Sequence, residues 1–246
     1  MKKVLIGCGV VVLILLIGFG YLAYTLWPNV SRLYDEWSAA IETLDALDSR
    51  YPFDTQAQTE LDAARFSTML DVRVALGEYF TGVKQTIDES QGQAEDRAPG
   101  WVDSFKLVLD QAAPILPQIA THLEQAAMSP QEFSWHTRVF WGALARVDSG
   151  VGTPELEPLR GEYKKFETQY EALRREHPDL EPLRDLLAEV PSDVLVAAGP
   201  VLAQDLGRVH RALAVTEVDY FYLQRPEQPE TASAPTGPSP ETPGPR

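Results

Sequence analysis

Histidines, a cysteine and an arginine at an apolar position are the side chains from which a reactive site could be built in this chain. The four histidines are His122, His136, His177 and His210. None belongs to an H-E-x-x-H or Glu-x-x-His arrangement, the spacings that turn two ligands toward one metal from a helix face, so no metal site is predicted. Glu132 and His136 do share a face at i and i+4, but a second helix would have to add a ligand. His136 is instead expected as a core histidine bonded to polar neighbours. The one cysteine, Cys8, stands within an apolar run, there is no Gly-x-Ser-x-Gly elbow, and Gly150-Val-Gly152 reads as a break between helices rather than a phosphate loop. No catalytic residue and no cofactor are expected.

Arg73 is the position that breaks a pattern. It completes a helical stripe formed by Phe66, Met69, Leu76, Phe80, Val83 and Ile87. An arginine there either snorkels from the core edge, pairs with a carboxylate of a neighbouring helix, or binds an anion. The densest aromatic cluster, Trp135 and Trp141 beside His136, lies on another predicted helix. Arg73, Trp135, His136 and Trp141 are accordingly the candidate ligand-binding residues, should the chain bind a small molecule or act as an enzyme.

The elements that would position them are all helices. Val30, Leu33, Trp37, Ile41, Leu44 and Leu47 mark the inward face of a first helix, and Tyr51-Pro52 breaks it. A second is predicted from about Thr59 to Asp88, followed by an exposed loop from Ser90 to Gly100. A third region, Val102 to Ala127, is interrupted by Pro114 and Pro117. Ser129-Pro130-Gln131-Glu132 is a helix start with a capping residue, a proline at the first helical position and a glutamate placed for a capping box. Leu156, Leu159, Tyr163, Phe166, Tyr170, Leu173 and His177 then keep a strict three-four spacing, which fits packing within the bundle or against a second copy. A short helix over Leu180 to Val190 and a last one from Asp193 to Leu223, kinked at Gly199-Pro200, complete an irregular antiparallel bundle of about six or seven helices. No alternating strand pattern is found, so the fold class is all-α.

Val4 to Trp27 is an uncharged run of 24 residues. At about 1.5 Å per residue it is long enough for a hydrocarbon core about 30 Å thick, and is read as a transmembrane signal anchor. Lys2 and Lys3 precede it, while Tyr21, Tyr24 and Trp27 gather at its other end, so residues 1–3 form a cytoplasmic stub and the bulk lies outside. Two other readings are weaker. Gly18-Phe19-Gly20 resembles a signal cleavage site, but the run continues seven residues past it; Leu5-Ile6-Gly7-Cys8 resembles a lipobox, but nineteen apolar residues follow it.

Beyond Trp27 come 36 acidic and 19 basic residues, a net of −17, which disfavours nucleic acid. With a single cysteine the domain over residues 28–224 must be held by its core, as suits a bacterial envelope better than an animal ectodomain. Residues 225–246 hold seven prolines and no large apolar side chain, and are expected to be disordered. The Met128-Ser-Pro-Gln-Glu-Phe-Ser-Trp run, Tyr51-Pro-Phe, the helix around Asp71-Val-Arg73 and the apolar closing helix together resemble uncharacterised bacterial single-span envelope proteins with a helical domain. That resemblance implies a place at the inner membrane and no activity. The expectation is a non-enzymatic, membrane-anchored interaction or envelope-structural module, with a protein partner or self-association.

Overall fold

The computed structural model describes residues 2–93, 106, 109–110, 113–148, 154–178, 180–215, 219 and 223, with the backbone alone for residues 2–25, 87–93, 148, 154 and 215. Eight α-helices and two 3-10 segments, without a strand, make up these described residues. The all-α expectation holds, with more helices than the six or seven read from the sequence.

Helix α1, Lys2–Arg50, runs for 49 residues with Pro28 inside it. No break separates the apolar run from the amphipathic stretch that follows. Among the described side chains no helix is long and apolar enough to cross a membrane. The anchor expected over Val4 to Trp27 lies outside them except for Leu26 and Trp27. The inward face of α1 also differs from the expected one. Ala40, Leu44 and Leu47 are buried, whereas Val30, Trp37 and Ile41 are exposed. The helix meets the bundle through a face turned toward Leu33, Ala40 and Leu47, so half of the predicted stripe is left outside.

Helix α2, Ala63–Gln93, starts later than predicted because the Asp62 carboxylate caps it, accepting from the amides of Ala64 at 2.9 Å and Arg65 at 3.0 Å. Helix α3, Ile115–Gln125, begins directly after Pro114, and Pro117 sits in its first turn, where the missing amide has no intrahelical acceptor to lose. At its far end α2 runs through Ser90–Gln93, the first four residues of the loop predicted from Ser90 to Gly100; the rest of that loop, most of the region predicted upstream of Pro114 and the tail lie outside the described residues. At its other end α3 closes with Met128 N donating to Leu123 O and Ala127 N to Glu124 O, both at 3.0 Å. This is a Schellman closure, with Ala127 in the left-handed region at φ 48°.

Helix α4, Pro130–Asp148, is the core of the molecule. Ser129 caps it as expected, its Oγ accepting from Glu132 N at 3.1 Å. From Glu132 to Leu144 every residue is buried. A helix covered all round must be packed on all sides, and α4 touches α1, α2 and the later elements: the 3-10 segment Pro154–Leu159, α5 (Arg160–Glu176), α6 (Leu183–Ala188) and α7 (Ser192–Ala203). Gly142 allows the close approach of α7, because a Cβ there would lie 2.8 Å from Leu195 Cδ2.

The three-four pattern of Leu156 to His177 is split by Pro158 into the 3-10 segment and α5. Leu156, Leu159, Tyr163, Phe166 and Tyr170 are buried in the chain's own core. His177 ends exposed just past α5, so the predicted face stops short of it. Helix α7 passes through Gly199-Pro200, with Pro200 inside it, and the single last helix predicted from Asp193 to Leu223 is divided at Gln204-Asp205. Asp205 caps the short α8, Leu206–Ala212, through Arg208 N at 2.8 Å. A second 3-10 turn, Leu213–Val215, packs with α8 on α2.

Candidate functional site

The four candidate residues fall into two separate buried clusters. Arg73, on α2, has no solvent exposure and pairs with both carboxylate oxygens of Asp219, which is equally buried. The guanidinium carbon stands 4.5 Å above the Phe140 ring. Trp141 donates its indole N–H to Asp219 Oδ2 at 2.8 Å and stacks on Phe166, with ring centroids 3.8 Å apart and planes within 8°. One carboxylate thus receives the fork of an arginine from α2 and the indole of a tryptophan from α4. The anion-binding reading of Arg73 loses its opening, since the cation already has a carboxylate and lies under aromatic rings. The pairing reading holds.

Trp135 and His136 turn the other way around α4. His136 lies among Phe53, Phe66 and Trp135, with ring centroids 6.1, 5.8 and 4.9 Å away. Neither of its nitrogens has a hydrogen-bond partner among the described residues. The nearest acid oxygen, Glu132 Oε1, is 3.7 Å from Nε2, beyond hydrogen-bond length. This corrects the expectation of a histidine satisfied by polar neighbours. Burial pushes the imidazole pKa down, Glu132 partly opposes that, and Arg65 adds to it. His136 is therefore held neutral. Burial alone would raise the Glu132 carboxyl; the Arg65 guanidinium, which grips both its oxygens, outweighs it and holds the group below its ordinary range.

Glu132 also departs from its predicted role. The capping box needs its carboxylate to reach back to the cap residue, but Arg65 takes it in a fork, Nε to Oε1 at 2.6 Å and Nη2 to Oε2 at 2.7 Å. Arg65 further donates to the carbonyls of Ala126 at 3.2 Å and Ala127 at 3.0 Å. A single side chain on α2 so ties the end of α3 to the beginning of α4.

Arg73, His136 and Trp141 are closed in, whereas Trp135 borders a cleft. It measures about 360 Å³ and is lined by Thr55, Gln56, Trp135, Arg138, Glu189 and Val190. Arg138 is mostly buried and pairs with the exposed Glu189, while its Nε faces no acceptor among the described residues. Asp219 and Arg138 are the residues that the sequence reading missed. A signal existed for Asp219: it is a carboxylate between Val218 and Tyr220-Phe221-Tyr222 in the apolar closing stretch. Arg138 had none, because its helix turned out to be covered on the face that an isolated reading assigns to solvent.

Comparison with protein-family models, with curated proteins and with solved structures gives no match for this chain.

Proposed function

We propose that the chain is a non-enzymatic interaction module, anchored by Val4 to Trp27 at a bacterial inner membrane with its helical domain outside the cytoplasm. The observation that carries the non-enzymatic part is the Arg73–Asp219–Trp141 contact. The polar groups best suited to a ligand are used up in holding α2, α4 and the closing stretch together. The anchor is supported by the uncharged run, by the lysines before it and by the aromatic residues at its far end. Kinship with single-span envelope proteins is part of the same reading. The direct test is affinity isolation of the full chain, cross-linked in membranes before detergent extraction. A partner or a second copy recovered at defined stoichiometry is expected, and recovery at background level would count against the module.

A second reading, small-ligand binding, draws on the cleft at Trp135 and Arg138 rather than on Arg73, His136 or Trp141. Binding there would quench Trp135 fluorescence in the full chain, and Arg138→Met would abolish the quenching.

A further inference from the structure

Trp27, Val30, Tyr34, Trp37 and Ile41 follow one another on α1 at spacings of three and four, the repeat of a coiled-coil seam. All five are exposed, at 69%, 38%, 72%, 36% and 49%. The face that α1 gives to its own bundle, Leu33, Ala40 and Leu47, lies about 100° around the helix from this seam, at about 100° per residue. Trp37 sits at the seam's inner edge, its indole N–H donating to Ala113 O at 3.2 Å. A soluble surface seldom carries so long a line of large apolar side chains without a partner.

We propose that this seam packs against the same seam of a second copy of the chain, in parallel. Area supports it: the five side chains offer roughly 500 Å² per copy, so a pair would bury about 1,000 Å², the lower bound for a specific contact. Charge supports it as well. The flanking positions are Ser31, Ser38 and Asp45 on one side and Leu33 and Ala40 on the other, so an acidic molecule of net charge −15 can meet its copy here with one carboxylate per copy beside the seam, at its Ile41 end. The parallel orientation rests on the anchor reading above. Two anchors in one membrane hold both seams upright at the same height and raise their effective concentration, which offsets a modest area. A lipid surface fits less well, because α1 carries Ile41 about 21 Å along its axis from Trp27, at about 1.5 Å per residue.

Single-cysteine variants of the full chain test the seam, made in a Cys8→Ser background and oxidised in native membranes. Tyr34→Cys and Ile41→Cys should give a disulfide-linked dimer at least tenfold more abundant than Ala46→Cys, which is exposed on the far side of α1. The yield should not change when the chain is cut after Gln224. Equal yields at all three positions would overturn the proposal. So would loss of the dimer on cutting the tail, which would make the proline-rich segment the occupant. Extraction by alkaline carbonate reports the anchor separately: a chain that washes off refutes the anchor, while the same three yields, measured in the extract, still decide the seam.

Discussion

Removing the Arg73 guanidinium would leave the Asp219 carboxylate fully buried without its cation, the Trp141 indole N–H still donating to it. Breaking one side of such a pair costs on the order of 3–5 kcal/mol, whereas replacing both sides with apolar groups can be close to neutral. Arg73→Met should therefore lower the urea midpoint sharply, and Arg73→Met with Asp219→Leu should recover most of the loss. Additive losses would argue against a coupled pair. His136 gives a second expectation. In the unfolded chain an imidazole titrates near its ordinary value of about 6.5, and in the fold burial lowers it. As pH falls through about 6.5 the unfolded chain takes up the proton first, so stability declines until the lower folded value is reached. Glu132 acts in a separate, more acidic window, because its lowered pKa adds stability that is lost only as pH falls below the ordinary carboxylate range. Denaturation midpoints measured from pH 7 to pH 5 should fall for the natural chain, and His136→Leu should flatten that decline by removing the two buried nitrogens.

Element boundaries were legible where a side chain writes them locally. Ser129-Pro130 started α4 as read, because cap and first helical residue are adjacent in sequence. Asp62 and Asp205 moved two boundaries because a capping carboxylate competes with periodicity, and the periodic signal alone does not register it. Pro158 divided a pattern that apolar spacing presents as one helix. The two burial errors share a cause: spacing says that a helix has an apolar face, not which neighbour covers it. On α1 the covering neighbour misses Val30 and Ile41 and reaches only the edge of Trp37, and on α4 neighbours cover every side. Arg73 was legible as an anomaly but its partner 146 residues away was not, since nothing local links α2 to the closing stretch. One element predicts its own improvement. Ala127 adopts the left-handed conformation at the close of α3, where glycine meets no steric penalty. Ala127→Gly should raise stability by about 0.5–1 kcal/mol, measurable as a higher midpoint. A drop would mean that Ala127 contributes packing beyond its backbone.

For the whole molecule, the testable statement is its orientation. A reporter active only outside the cytoplasm, fused after Gln224, should be active, and one active only inside should be silent. The reverse pattern would place the helical domain on the other side. The shape of α1 adds a mechanical property to that arrangement. A chain joined to its anchor by a flexible tether can swivel freely, so the membrane end tells the domain only where it is. Here helical geometry continues from Lys2 to Arg50, so a twist of the N-terminal end about its axis meets no unwound segment before it reaches the bundle. Pro28, which donates no backbone hydrogen bond, is the joint at which that twist can leak. Such a helix conveys angle as well as position, so whatever grips the N-terminal end sets which way the bundle faces.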